Sequence, residues 1–340
     1  MNAKLELARR EANYTRYQPG QTAGHYESFF QRANHPTLPL AFWIRYTLFS
    51  PNRHPDKAIG ELWAVFFDGE TGRHVAVKTE TPVERCTFKR DDFFVKIDEA
   101  QLGPGRLAGS AASGGHALTW NLTFAGDAQP LFLLPLNLYK TGFPKAKSLV
   151  GLPLARFNGS LSVDGETIEV VDWVGSQNHN WGAKHTDAYA WGQVAGFDTH
   201  PESFLEVATA RIKIGPIWTP PLTLLVLRHR GNEIALNTLT QALRAKGSFD
   251  YFTWRFHSET ASVRVEGAIS AAREAFVGLS YYNPPGGSKH CLNTKIAACE
   301  LKVVRKTSSR LSAPEILSTR QRAAFEILTD NRGHGIAVRA

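Results

Sequence analysis

Short runs of alternating apolar and polar residues recur along the whole chain, and each stops at a turn-forming cluster before the next begins. Side chains of an extended strand point alternately to opposite faces, so each run reads as a half-buried strand. Residues 25–33 and 40–49 are rich in aromatic and β-branched side chains, with Asn34-His-Pro-Thr37 as the turn between them. Residues 61–67 follow and end at Asp68-Gly69, a turn dipeptide. The pattern continues through 74–79, 87–97, 117–124 and 131–138, and restarts at 155–163, the Asp164-Gly165 turn and 167–173. Seven further strands are predicted over 204–214, 222–230, 233–239, 251–258, 262–271, 275–282 and 295–304. Closely spaced antiparallel strands bury their apolar faces by closing into barrels or stacking as sandwiches.

A length of 340 residues exceeds one ordinary domain, so two are expected. Residues 140–153 are dense in Gly, Pro and Lys, lack periodicity, and read as the connection. That places one β-domain over 20–145 and a second over 154–306, with 307–340 as a helix and tail. Residues 5–14 predict a short N-terminal helix broken by Tyr17-Gln-Pro-Gly20. Residues 312–328 begin with a Ser cap followed by Pro and Glu, and carry apolar residues at helical spacing, which predicts a C-terminal helix. The expected fold class is therefore all-β: two antiparallel β-barrel or sandwich domains with a short C-terminal helix. Glu27 and Arg45 stand inside strongly apolar strands. Each is either an outward, solvated position or, if their faces match, half of a buried charge pair.

Hydrophobic content of 43% and charged content of 21% describe a globular chain. The formal charge of +8 comes from Lys and Arg scattered along the sequence without a nucleic-acid motif, so no nucleic-acid partner is expected. A basic surface equally suits anionic membranes. The first 20 residues are charged and contain no apolar signal segment. The longest apolar runs, 130–139 and 220–227, fall short of the roughly 20 residues that span a bilayer, although either could touch one peripherally. Cys86, Cys291 and Cys299 are odd in number and at no metal-ligand spacing, which predicts reduced thiols in a cytoplasmic compartment. Asp198 and His200, taken with His179 and His185, match no standard metal pattern. Neither a metal nor a cofactor is expected.

The densest chemistry lies in 173–193, where three Trp, one Tyr, two His, one Asp, two Gln and two Asn fall within 21 residues. On a strand, Asp187, Tyr189, Trp191 and Gln193 share one wall, and Trp173, Gln177, His179 and Trp181 share another if the first half is extended. A turn near residues 182–184 would set the two halves side by side. A core strand also alternates large and small residues, and a buried Trp or His is commonly packed and hydrogen-bonded only. So many polar groups within an aromatic wall nevertheless cost stability unless each finds a partner, which favours a site.

With these residues in view, the chain resembles the lipocalin-like superfamily of carotenoid 1,2-hydratases (hydroxyneurosporene synthases), AttH-type proteins and, more distantly, tocopherol cyclases. The resemblance rests on Gly24-His-Tyr-Glu-Ser-Phe-Phe-Gln-Arg-Ala33, on Gln177-Asn-His-Asn-Trp-Gly182 and on Tyr189-Ala-Trp-Gly-Gln193, and it covers about 20–306. It implies two lipocalin-like β-domains side by side, with a ligand cavity near their junction. Its enzymes protonate a trisubstituted alkene of an isoprenoid chain and let water or a phenol capture the cation. Some relatives act on polyketide-like substrates. The hydratases resemble this chain at His179 and Trp181, and an Asp beside a Tyr belongs to their pattern; here Asp187 precedes Tyr189.

The same chemistry can be asked of the residues directly. Protonating an alkene needs a carboxylic acid kept neutral by apolar surroundings, and a tertiary cation needs aromatic faces, each worth roughly 2 kcal/mol when desolvated. This assigns Asp187 as acid, with His179, His185 and Tyr189 assisting. Trp173, Gln177, Trp181, Trp191, Gln193 and Glu27 are assigned to substrate binding. The expected activity is a hydratase- or cyclase-type lyase or isomerase, free of cofactors, acting on a hydrophobic isoprenoid or polyketide-type molecule. The competing expectation is a lipophilic small-molecule binding protein without chemistry. A purely structural, hydrogen-bonded core between the domains comes third.

Overall fold

The computed structural model describes residues 3–306, 312–331 and 333–340. Its strands form two large antiparallel sheets. In the first, His25–Asn34 pairs on one side with Leu40–Ser50 and on the other with Glu166–Gly182. Ile59–Asp68 and Val75–Pro82 extend one edge, while Ala146–Val163, His116–Ala125 and Arg106–Ser113 extend the other. The edges meet where the Thr79 hydroxyl accepts from the Ala112 amide and donates to the Ala112 carbonyl. In the second sheet, Ala188–Ala195 pairs with Phe204–Arg211 and Glu315–Thr329, and Ser288–Arg305 follows. The all-β class expected from the alternation is the class observed.

Four boundaries differ from expectation. Strands 146–163 and 166–182 belong to the first sheet, so the passage between sheets lies at 183–187 and not at 140–153. The restart of alternation after the Gly/Pro/Lys segment completes the first barrel, because these long strands pair with His25–Asn34. Residues 315–329 form a strand where a helix was predicted. Ala323, Phe325 and Ile327 enter the second core while Ala324 and Leu328 face the first barrel, a burial of period two that only an extended segment provides. Pairing on both edges overrides the local helical preference. The expected tail also includes 307–311 and 332, which lie outside the described residues. The expected strands at 87–97 and 131–138 are cut short: a hairpin of Cys86–Phe88 with Val95–Ile97 replaces the first, and Leu131–Phe132 leads into a 3-10 turn in the second.

His25–Asn34 and Leu40–Ser50 are buried on both faces. Phe29, Ala33, Phe42, Ile44 and Tyr46 fill the first barrel, and the opposite parity, Phe30, Ala41 and Trp43, packs against Trp191, Leu279 and Ala324 of the second sheet. Glu27 and Arg45 are thus both buried, but on opposite faces: Glu27 shares the parity of Phe29, whereas Arg45 stands opposite Phe30. They do not pair. An apolar seam this wide joins the two barrels, and a cavity lies along it.

Candidate active site between the two barrels

The cavity, of about 190 Å³, is bounded by the first barrel's outer face (Tyr26, Trp43, Asn178) and by Tyr189, Trp191 and Glu206 of the second sheet. Leu133, Leu138, Leu222 and Leu224 make its apolar wall. Register explains the assembly. Ser176, Asn178 and Asn180 point out of the first barrel, while Trp173 enters its core. The odd-numbered Tyr189, Trp191 and Gln193 face back across the seam, and Ala190 and Val194 enter the second core.

Gln193 is the bridge. Its Oε1 accepts from Arg32 Nε at 2.8 Å and Ser176 Oγ at 2.6 Å, and its Nε2 donates to Asn178 Oδ1 at 2.7 Å and Glu206 Oε2 at 2.8 Å. The indole N–H of Trp191 donates to Glu206 Oε1 at 2.7 Å. Glu206 is 2% exposed. Burial pushes its carboxyl up, hydrogen bonds from Trp191 and Gln193 and the charge of Arg32 pull it down, and the balance stands at about 7. Each carboxyl oxygen accepts one bond from the wall and keeps a second position for a proton or a ligand. On the same face of the second sheet, one strand beyond Trp191, Glu326 is held by Lys295 Nζ at 2.7 Å and Asn293 Nδ2 at 2.9 Å, and Lys295 lies against the rings of Trp43 and Trp191.

Four of the ten expected site residues, His179, His185, Tyr189 and Trp191, border the cavity. Trp173, Gln177, Trp181 and Glu27 lie on the barrel side of their strands, and Gln193 spends its whole amide on the seam. The two halves of the 173–193 stretch are not strand partners, since each pairs within its own sheet.

His179 is sandwiched in a different network. Its Nδ1 meets the Ala12 carbonyl at 2.7 Å and its Nε2 meets Glu27 Oε1 at 2.8 Å, so neither nitrogen is free for a ligand. Burial pulls His179 below the ordinary imidazole range, against the pull of Glu27. Glu27 also accepts from His25 and from the backbone N–H groups of Arg16 and Tyr17. Burial alone would raise its carboxyl, but the bonds from His179 and His25 prevail and hold it at about 2. This carboxylate pins the N-terminal segment to the barrel. His185 stacks on Tyr26 at 3.9 Å, and burial, with Arg45 nearby, lowers it to about 3, leaving a neutral ring.

Asp187 does not border the cavity. Lys184 Nζ donates to its Oδ1 at 2.5 Å and the Lys213 amide to its Oδ2 at 2.9 Å. Partial burial pushes its carboxyl up, but these bonds outweigh it and hold the group below the ordinary value. An ionised, lysine-clamped carboxylate at a turn is a poor proton donor. Asp187→Asn is expected to leave turnover within a few-fold of wild type and to cost less than about 1 kcal/mol, measured by urea denaturation and steady-state kinetics. A hundredfold loss of turnover would restore Asp187 to the chemistry.

The residues that sequence reasoning missed, Glu206 and Glu326, do carry a signal. Each is a lone acid in an apolar run, Phe204-Leu-Glu206-Val and Phe325-Glu326-Ile-Leu. His200 does not join His179 or His185 either. Among the described residues it stands with His229 and Glu315, their donor atoms within 4.8 Å of one another, and Arg230 also pairs with Glu315. No described helix is long and apolar enough to cross a membrane.

No family model matches the chain. Two proteins of Mycobacterium tuberculosis, from strains CDC 1551 and H37Rv, both named only as uncharacterized, are each 24% identical over 282 residues, spanning 83% of this chain and 82% of their own. Among solved structures, kievitone hydratase from Nectria haematococca superposes with a TM-score of 0.59 at 12% identity, covering 95% of this chain and 92% of its own. CghA gives 0.50 at 9% identity, covering 91% and 88%. A putative AttH from Nitrosomonas europaea gives 0.58 at 12%, covering 90% and 92%. In fold, the chain is an all-β protein of paired lipocalin-like barrels, built like the putative AttH and kievitone hydratase.

Proposed function

We propose that this protein is an acid catalyst for hydration, or a related cyclisation or isomerisation, of an apolar isoprenoid- or polyketide-type molecule held between the barrels, with Glu206 as the proton donor. The observation that carries this reading is a fully buried carboxyl near 7, oriented by Trp191 and Gln193, in an otherwise largely apolar wall. A group poised near neutrality both holds and releases a proton at working pH. Glu326, by contrast, is committed to Lys295.

In the hydration, the Glu206 O–H bond breaks as a C–H bond forms on one alkene carbon, and the cation develops on the other. Trp191, Trp43 and Tyr189 are the aromatic side chains that line the cavity beside it. A water oxygen then forms the C–O bond, and its surplus proton returns to the carboxylate. Substrate and water balance the step without electron transfer. The shared fold with an enzyme named as a hydratase supports the reaction class.

The test is a panel of prenylated phenols and polyene chains incubated in D₂O. The expected product carries one new carbon-bound deuterium with wild type and none with Glu206→Gln. Ligand retention by both proteins with no label in either would identify the non-catalytic lipophilic carrier instead.

An apolar substrate is proposed to arrive from a membrane surface. Phe143 and Leu239 border the cavity and are exposed, and the nearby hairpin Lys213–Ile214 with Ile217–Trp218 presents exposed Ile214 and Ile217, with Arg211 and Lys213 against the Trp218 ring. Cosedimentation with vesicles containing phosphatidylserine is expected to fall at least about fivefold in the double variant Ile214→Glu/Ile217→Glu. Equal sedimentation of variant and wild type would remove this surface from consideration.

A further inference from the structure

Arg45 has no role in the chemistry above, yet it is 4% exposed and borders the same cavity. Its one hydrogen bond donates from Nη2 to the Ser28 hydroxyl at 2.6 Å, and its Nε is buried without an acceptor. Among the described residues no carboxylate lies within 4 Å of its guanidinium. Glu61, the acid its field reaches, is bound by Lys78 at 2.6 Å. Aromatic rings take the place of a counter-ion: the guanidinium carbon lies 4.5 Å from the Tyr281 centroid, 5.8 Å from Trp43 and 6.0 Å from Trp63. Lys147, the other cation on the cavity wall, is capped by the Pro144 carbonyl at 2.7 Å, and the Lys295–Glu326 pair is self-neutralised.

The groups around Arg45 are donors as well. The Tyr281 hydroxyl faces the Cys291 thiol and has no oxygen or nitrogen partner, and burial holds both it and the Tyr26 phenol in their neutral, proton-bearing forms. His185 is a neutral ring between these two tyrosines. A buried guanidinium with unused N–H groups, beside an unpaired phenol and with no carboxylate in ion-pair contact, is costly for a free protein. The missing complement is an anionic oxygen.

We infer that the ligand of this cavity is an amphiphilic anion, an apolar chain or ring system ending in a carboxylate or an ionised enol or phenol, whose oxygens are held by Arg45 and Tyr281. This rests on the reading of the cavity as the substrate site. It adds a polar end that fixes which way the apolar body lies along the wall carrying Glu206. A plain polyene hydrocarbon would leave Arg45 unmatched.

The test compares decanoate, decanol and decylammonium by calorimetry and by quenching of tryptophan fluorescence, at about pH 6, where Glu206 keeps its proton and decanoate is charged. Wild type is expected to bind decanoate at least about tenfold more tightly than decanol, and decylammonium most weakly. Arg45→Met, of similar length and apolar, is expected to erase that preference while decanol binding persists, which reports an intact cavity. Tyr281→Phe is expected to weaken decanoate several-fold and leave decanol unchanged.

Equal affinity of wild type for decanoate and decanol, or no binding of either at millimolar concentration, overturns the inference without recourse to any variant. Survival of the preference in Arg45→Met overturns it too, and points to Lys147. Glu206→Gln is expected to keep the decanoate preference. A preference that depends on Arg45 in a protein that never labels substrate would sink the catalytic reading and leave the anion site standing.

Discussion

Replacing Glu206 by Gln is expected to cut turnover by about 10² to 10⁴-fold while making the protein more stable above neutral pH. The two effects share one cause. A carboxyl at about 7 in the fold and at its ordinary 4.5 in the unfolded chain keeps its proton in the fold after the unfolded chain has lost it. Between these values the unfolded state binds fewer protons, so wild-type stability falls as pH rises from about 4.5 through 7, by about 3 kcal/mol in all. An amide of the same shape has no such loss and can still accept from Trp191, although its NH2 then faces the Gln193 amide donor, which offsets part of the gain at every pH. Urea midpoints should therefore coincide more closely near pH 5 and favour the variant near pH 8 by up to this amount. Over the same range wild-type kcat/KM should fall about tenfold per pH unit above 7, as the acid form is depleted. A stability difference that fails to move toward the variant between pH 5 and pH 8, or an unchanged rate, would remove Glu206 from the donor role.

Glu27→Gln acts in the opposite sense. The carboxylate accepts from His25, His179 and two backbone amides while fully buried, so its loss leaves donors stranded, at a cost of roughly 3–5 kcal/mol. Its folded value near 2 lies below its ordinary 4.5. The wild type therefore holds this stabilisation fully above pH 4.5 and loses it, about 3 kcal/mol, as pH falls toward 2. The variant should show a flatter acid limb in urea denaturation, and its first 17 residues should become accessible to protease at neutral pH. An unaltered acid limb would mean that the network around His179 does not depend on the charge of Glu27.

Both residues could be noticed in the sequence, and neither could be placed from it. Glu27 in His25-Tyr-Glu-Ser and Glu206 in Phe204-Leu-Glu-Val are each a single acid in a run of apolar alternation. One became an anchor facing the first barrel's interior, the other a carboxyl in the cavity wall, because each strand is covered by different layers. Asp187 had the better local credentials, with Tyr189 and Trp191 beside it on one parity. In the proposed mechanism it gives way to Glu206, because the Lys184 ammonium and the Lys213 amide bind its carboxylate, and Lys213 comes from beyond the next strand.

What the sequence alone determined is the period-two alternation, and with it the all-β class, most of the strands and the shared wall of Tyr189, Trp191 and Gln193. These are local: side-chain parity along a strand is set by backbone geometry. The tertiary structure decided which sheet each strand joined, that 315–329 is extended, and which parity of 173–182 meets the second barrel. It also decided that a glutamate 15 residues beyond Trp191 receives that residue's indole N–H. Those outcomes depend on strand pairing and on burial of both faces at the seam, contacts between residues far apart in the chain. The desolvation that poises Glu206 exists only once the two barrels have closed around it.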